Sequence, residues 1–193
     1  MLSEVEPSEA RHVHLPGDFN IWVFVLGDLI YFAGYFVIFM VYRIQERSVF
    51  LASQEHLNVT AATVNTLVLL ASSRYVALAV QATRTDEHRR ASRLISLAAL
   101  CGAVFSAMKV YEWWSESRSG YTLTHDEFFM FYYMLTGAHL FHVLLGLGVL
   151  GYVQRELRHP ELRRTWVVEA GAVYWHMVDL VWIVLFALVY LMR

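Results

Sequence analysis

Residues 167–192 read VVEAGAVYWHMVDLVWIVLFALVYLM, and only Glu169 and Asp179 in this stretch carry a formal charge. A helix needs about 20 mostly apolar residues to cross the hydrocarbon core of a bilayer. The stretch therefore predicts a membrane-spanning helix. Because charged groups are costly inside a bilayer, we also expect its polar side chains to have partners or a function.

Four similar apolar stretches precede this one. We predict an all-α transmembrane bundle with five spans, at Asn20–Tyr42, Val59–Ala82, Ser92–Trp114, Phe128–Tyr152 and Val167–Met192. Residues 1–19 are expected to form a polar cytoplasmic tail, and residues 20–193 a single membrane domain without room for a soluble catalytic domain. Pro7, Pro16 and Pro160 lie outside the spans, which favours unbroken helices.

The composition supports a bilayer protein. Apolar residues make up 58% of the chain and charged residues 17%, against about 25% charged residues in a soluble domain. A net charge of -2 without a sustained charge run gives no indication of a nucleic-acid surface or a polybasic lipid anchor. Cys101 is the only cysteine, which excludes an intrachain disulfide.

The distribution of basic residues predicts the orientation in the membrane, since cytoplasmic loops are enriched in arginine and lysine. The tail and the second and fourth loops carry nine, against four on the opposite side. The N-terminus is therefore predicted to be cytoplasmic and the C-terminus outside. The nine are Arg11, Arg84, Arg89, Arg90, Arg93, Arg155, Arg158, Arg163 and Arg164; the four are Arg43, Arg47, Arg118 and Arg193.

Ionisable residues within the spans are the candidate functional residues. Asp28 follows Asn20 by eight residues, about 12 Å of helix, so we expect it to be neutral, paired or at a wet cavity. Arg74 is deep in the second span and could reach the interface or pair with Asp28 or Glu112. Lys109 is three residues before Glu112, a spacing that favours an ion pair on one helix face.

Histidines form a second candidate group. His139 and His142 are three residues apart in the fourth span, and His176 and Asp179 repeat that spacing in the fifth, so two polar stripes are expected to face each other. Such stripes could ligate a metal or haem iron. An interhelical hydrogen-bond network is the favoured interpretation, because the histidines are too few for a di-iron site.

Small residues in the fourth span predict close helix packing. Gly137, Gly146, Gly148 and Gly151 lie along it, and glycine lets a second helix approach closely.

Several of these segments resemble haem-copper oxidase subunit III. Residues 173–182, VYWHMVDLVW, resemble its YWHFVDxVW signature, and residues 131–143, FYYMLTGAHLFHV, are similar to its FxxxTGxHxxHV segment. Residues 111–113, YEW, and 70–73, LASS, also match family segments. Residues 25–36 resemble the family's buried-carboxylate segment, with Asp28 in place of the usual glutamate.

The resemblance implies a subunit that carries no haem or copper and no other cofactor, apart from phospholipid held in a cleft. It implies packing beside catalytic subunit I, together with subunit II, and support for proton uptake by that partner. Asp28 would be the proton-related buried carboxylate. The other polar residues would be structural or line the lipid cleft; these are Arg74, Glu112, His139, His142, His176 and Asp179.

Two departures keep alternatives open. The long form of the family has seven helices, so the pair that forms one wall of the lipid cleft has no counterpart among these five spans. Residues 15–18, LPGD, and 21–24, IWVF, are similar to the NorE branch that accompanies nitric oxide reductases. A short cytochrome c oxidase subunit III and a NorE-type accessory subunit are therefore both retained.

Two rival functions do not depend on the family. One is a haem-binding electron-transfer protein that uses His139, His142 and His176. The other is a small transporter that uses Asp28 and Arg74 as a relay, although the unbroken helices and the lack of an internal repeat disfavour it.

Overall fold

A computed structural model describes residues 19–159 and 164–192. The expectations for residues 1–18, Pro160, Arg163 and Arg193 lie outside the described residues. The elements are α1 (Phe19–Gln45), α2 (Arg47–Gln54), α3 (Val59–Arg84), α4 (His88–Arg118), α5 (Glu127–Arg158) and α6 (Thr165–Phe186), and α6 continues into a π-helical turn (Ala187–Leu191).

The predicted fold class is confirmed. Five of the six α-helices are long and apolar enough to cross a membrane, and the described residues contain no strand. Each long helix overlaps one predicted span. The main differences lie at the polar ends, where α4 begins at His88 instead of Ser92 and α5 continues to Arg158 instead of Tyr152. The helices extend beyond the apolar segments that identified them.

Side chains at the loops define two helix starts. The Asn58 carboxamide oxygen accepts a hydrogen bond from the Ala61 backbone N–H at 3.0 Å at the start of α3. The Asp126 carboxylate accepts one from the Phe129 backbone N–H at 2.8 Å at the start of α5. Both acceptors satisfy backbone donors that have no partner within the first helical turn.

Helix α6 has the largest buried share of the five spanning helices and packs against α1, α3 and α5. Its fully buried Trp175 lies against two glycines, Gly102 of α4 and Gly146 of α5. A Cβ atom would be 2.7 Å from the indole at Gly102 and 2.8 Å at Gly146. Close packing at Gly146 was predicted, whereas Gly148 and Gly151 have no such neighbour.

The short helix α2 was not predicted, because it is too short and polar to resemble a span. It carries Gln54 to the end of α6, where the side-chain amide donates to the carbonyl oxygens of Val189 at 2.8 Å and Leu188 at 3.3 Å. Arg43 of α1 donates to the Gln54 carboxamide oxygen at 3.0 Å and to the Met192 carbonyl. Carbonyls at a helix end lack partners within the helix, so these two side chains satisfy them.

Ion pairs join helices at the opposite end of the bundle. Arg84 of α3 donates two hydrogen bonds, of 2.8 and 2.9 Å, to one carboxylate oxygen of Glu169 in α6. Arg164, just before α6, lies 2.6 Å from the buried Glu156 of α5. Both arginines contribute to the charge asymmetry seen in the sequence, but their partners were not predicted.

We predict that Gly146→Ala destabilises the bundle and that Gly148→Ala does not. The new methyl group at residue 146 would overlap the Trp175 ring, and overpacking costs about 1–3 kcal/mol of unfolding free energy. Residue 148 has open space and lies on the same helix, so it is a matched control. Thermal unfolding of the detergent-purified subunit measures the difference, and equal stabilities would contradict the packing described.

Candidate functional site

Six of the candidate ionisable residues lie in three separate clusters, and Arg74 and His139 belong to none of them. The Asp28 pair consists of Asp28 on α1 and His142 on α5. The lysine cluster consists of Lys109, Glu112, Tyr132 and Tyr190. The Ser73 cluster consists of Ser73, His176 and Asp179.

The Asp28 pair joins the outer helix α1 to the bundle. An Asp28 carboxylate oxygen lies 3.7 Å from Nε2 of His142, and the side chains are 18% and 13% exposed, respectively. The other ring nitrogen, Nδ1, lies 2.7 Å from the carbonyl oxygen of Ala138. Because a carbonyl only accepts hydrogen bonds, Nδ1 carries a hydrogen. This contact fixes one end of the imidazole.

The Asp28 pair can therefore hold one further proton, in either of two arrangements. The proton lies on the Asp28 carboxyl group beside a neutral imidazole, or on Nε2 beside an Asp28 carboxylate. Both arrangements have no net charge, which an apolar membrane interior favours.

Groups around the Asp28 pair restrict the imidazole. Phe32 presents its ring edge-on at 5.2 Å between centroids. The Tyr174 hydroxyl of α6 donates to the backbone carbonyl of His142 at 3.2 Å. These contacts leave His142 directed at α1, where Asp28 is the acidic residue within its reach.

Arg74 does not form either of the pairs considered for it. It is exposed on α3, and within the described ranges it has no ion pair with Asp28, Glu112 or another acid. Asp28 contacts His142, and Glu112 contacts Lys109. A relay built from Asp28 and Arg74, as in the transporter alternative, is therefore not assembled.

The lysine cluster confirms the ion pair predicted from spacing. Lys109 is 1% exposed, and its Nζ lies 3.2 Å from a carboxylate oxygen of Glu112. Nζ also lies 3.2 Å from the Tyr132 hydroxyl and 2.5 Å from the Tyr190 hydroxyl. Both hydroxyls donate to the second Glu112 oxygen, at 2.8 and 2.6 Å. One buried cation is thereby neutralised by one carboxylate.

Neither tyrosine of this cluster was predicted from the sequence. Tyr190 lies near the end of the fifth predicted span, yet it is almost fully buried. It reaches Lys109 from the π-helical turn at the end of α6, and no local spacing reveals such a contact. The only available signal was a tyrosine at the same end of its span as Lys109 and Glu112.

The expectation that two polar stripes face each other is wrong. His139 is buried and stacks on Trp182 of α6, with ring centroids 5.0 Å apart, and neither of its ring nitrogens has a hydrogen-bond partner among the described residues. His176 instead turns to α3, where its Nδ1 lies 2.8 Å from the Ser73 hydroxyl. The bulky indole of Trp182 occupies the place opposite His139.

The predicted hydrogen-bond network therefore applies to His176 but not to His139. His176 also lies 3.8 Å from the largely buried carboxylate of Asp179. The three histidines thus occupy three different surroundings. Within residues 19–159 and 164–192, no group of three or more His, Cys, Asp or Glu side chains is placed to hold a metal ion.

Comparisons with known proteins match this chain to one family over nearly its whole length. A model of the family described as cytochrome c oxidase subunit III matches residues 9–193. Cytochrome c oxidase subunit 3 of Thermostichus vulcanus is 30% identical, over 94% of this chain and 91% of the relative. The protein of the same name from Synechocystis is 32% identical, over 98% and 83%. Heme-copper oxidase subunit I+III of Aeropyrum pernix is 27% identical, over 99% of this chain and 25% of the relative.

We predict strong coupling between Lys109 and Glu112. Lys109→Met should leave the Glu112 carboxylate without its cation and lower the unfolding free energy by about 3–5 kcal/mol. Adding Glu112→Gln removes the unpaired charge, so the double variant should be more stable than Lys109→Met alone. Thermal unfolding of the purified subunit is measured for the natural chain, the two single variants and the double variant. If the losses of the two single variants add up in the double variant, Lys109 and Glu112 are not coupled.

Proposed function

Because the chain belongs to the cytochrome c oxidase subunit III family, we propose that it is a non-catalytic membrane subunit that stabilises a haem-copper catalytic subunit. The family match over residues 9–193 carries this proposal. The fold agrees with it, since five spanning helices form a bundle and leave no soluble domain among the described residues.

The proposed partner is catalytic subunit I, in a complex that also contains subunit II. The Aeropyrum relative supports contact with subunit I, because its name joins subunits I and III in one protein. The two relatives named as cytochrome c oxidase subunit 3 favour an oxygen-reducing complex. None of the three relatives supports the NorE-type alternative.

We further propose that the subunit holds no haem or copper of its own. The separate surroundings of His139, His142 and His176 support this, since haem ligation between helices needs opposed histidines at matching depth. A haem absorbance band in the subunit purified alone would contradict it. A phospholipid bound along the apolar helix surfaces is compatible with this role.

The Asp28 pair is the proposed contribution to proton supply. It brings a carboxyl group and an imidazole within 3.7 Å of each other, and both side chains are largely buried. Such a pair can take up a proton from its surroundings and return it. The subunit would then assist proton uptake by the catalytic subunit without forming or breaking a bond in the reduction of oxygen.

The proposed orientation places the N-terminus in the cytoplasm and Arg193 outside. Single cysteines at Glu87, before α4, and at Ser119, after it, should then react with a membrane-impermeant maleimide from opposite faces, with Ser119 outside. Cys101 is first replaced by serine so that it does not react. Labelling of both positions from one face, or of Glu87 from outside, would contradict this topology.

We predict that Asp28→Asn lowers the turnover of the purified oxidase complex, most strongly at high pH, where protons are scarce. Asparagine keeps the size and much of the hydrogen bonding of aspartate but cannot carry the exchangeable proton. Asp28→Glu restores a carboxyl group and is the matched control. Oxygen consumption and the amount of assembled complex are measured together.

Asp28→Leu separates proton exchange from structure, because leucine removes both the proton and the polar contact with His142. If asparagine supports wild-type turnover at every pH while leucine prevents assembly, Asp28 is a structural residue. That result would disprove the proposed proton role.

A further inference from the structure

The outward face of α3 carries a charge inside the membrane. Exposed residues recur along this helix at every third or fourth position, and we call them the Arg74 face: Thr63, Leu67, Leu70, Arg74 and Ala77. The other sides of α3 pack against α4 and α6. Arg74 is thus the one cation in a row of otherwise uncharged, mainly apolar side chains.

Arg74 lies far from both ends of its helix. It follows Val59 by fifteen residues and precedes Arg84 by ten, which correspond to about 22 Å and about 15 Å of helix. Side chains on an α-helix lean toward its N-terminus. The guanidinium group is therefore directed toward the more distant end, and snorkelling to the nearer interface is disfavoured.

No anion compensates Arg74 within the part of the chain that the structure describes. The acids of the spans are engaged elsewhere, since Asp28 contacts His142, Glu112 contacts Lys109 and Asp179 contacts His176. An arginine that faced lipid at this depth would be costly. Burial against a protein that supplies an anion would remove this cost.

The exposed face of α4 provides a contrast within the same bundle. It presents Leu97, Leu100, Val104 and Val110, all apolar and all more than 40% exposed. Such a surface suits contact with lipid chains. The Arg74 face also has two exposed leucines, Leu67 and Leu70, but it adds a charge. The α4 face therefore suits lipid chains, whereas the Arg74 face does not.

We propose that the Arg74 face docks against a membrane-spanning helix of the catalytic subunit, and that this helix presents an Asp or Glu carboxylate at the depth of Arg74. The inference rests on the proposed function and specifies where the partner binds. A guanidinium group binds a carboxylate through two parallel hydrogen bonds. Leu67 and Leu70 would pack beside this pair, and the small Ala77 would allow close approach of the helix.

Charge and depth favour the catalytic subunit over other occupants. Lipid phosphates lie at the membrane surface, whereas Arg74 is about 15 Å from the nearer helix end. In a symmetric dimer through this face, the same patch would meet itself and bring two Arg74 side chains together. The repulsion between like charges disfavours that arrangement.

Photocrosslinking within the assembled complex tests the proposed surface. A photoreactive amino acid replaces Leu67 or Leu70 on α3, or Leu97 or Leu100 on α4 as matched controls. The complex is purified through a tag on the catalytic subunit. We expect crosslinks to the catalytic subunit from the α3 positions and none from the α4 positions.

Substitution of Arg74 tests the proposed carboxylate. Arg74→Leu should insert at least as well as the natural chain, but it would leave the partner's carboxylate unpaired and lower co-purification by about tenfold or more. Arg74→Lys keeps the charge and should retain most of the complex. Leu100→Ala on the α4 face is the control and should not reduce co-purification.

The outcomes separate this inference from the proposed function. If the unaltered chain does not co-purify with the catalytic subunit, the proposed function fails. If it co-purifies but crosslinks from α4, or if the α3 positions crosslink only to lipid or to a second copy of this chain, the docking surface is wrong. If Arg74→Leu co-purifies with the catalytic subunit as well as the natural chain does, the partner presents no carboxylate to Arg74.

Discussion

The fit of Trp175 between Gly102 and Gly146 is the contact on which the arrangement of the other helices depends. It packs α6 closely against α5 and reaches Gly102 of α4 through the indole ring, and it leaves no space for even one methyl group at either glycine. Because side chains on a helix are fixed relative to one another, seating Trp175 also sets the direction of every polar group on α6. His176 then meets Ser73, and the Trp182 indole N–H donates to Thr66 at 2.9 Å.

Compensation of charge follows from the same packing. Arg84 meets Glu169 at one end of the bundle, and Tyr190 completes the lysine cluster toward the other. In a soluble protein, water would lessen the consequences of an imperfect pair, but the hydrocarbon core has no comparable solvent. The spans consequently carry ionised groups in matched pairs. Arg74 departs from this pattern, and an unmatched group on an outer surface indicates a partner outside the chain.

The parts of this structure that the sequence predicted are local, and the parts that it did not predict are long-range. The span at residues 167–192 follows from length and hydropathy, and the Lys109–Glu112 pair follows from spacing on one helix. By contrast, the stacking of His139 on Trp182 depends on how α5 and α6 rotate about their axes. No pattern within either helix specifies that rotation. The partnership of Asp28 with His142 has the same origin, and the family resemblance indicated only that Asp28 is a buried carboxylate.

The lysine cluster and the Asp28 pair differ in the number of side chains that hold their charges. Lys109 is sealed by side chains of α4, α5 and the end of α6, and each of its hydrogen-bond partners also binds Glu112. Five hydrogen bonds thereby join the four side chains of the cluster. Asp28 instead lies on α1, the helix with the smallest buried share of the five, and its ion-pair contact is with His142. In the proposed proton role, the imidazole of His142, 3.7 Å from the carboxylate, keeps the resting site neutral. Proton exchange at Asp28 would then involve one neighbouring side chain, whereas exchange at Lys109 would disturb its hydrogen bonds to three.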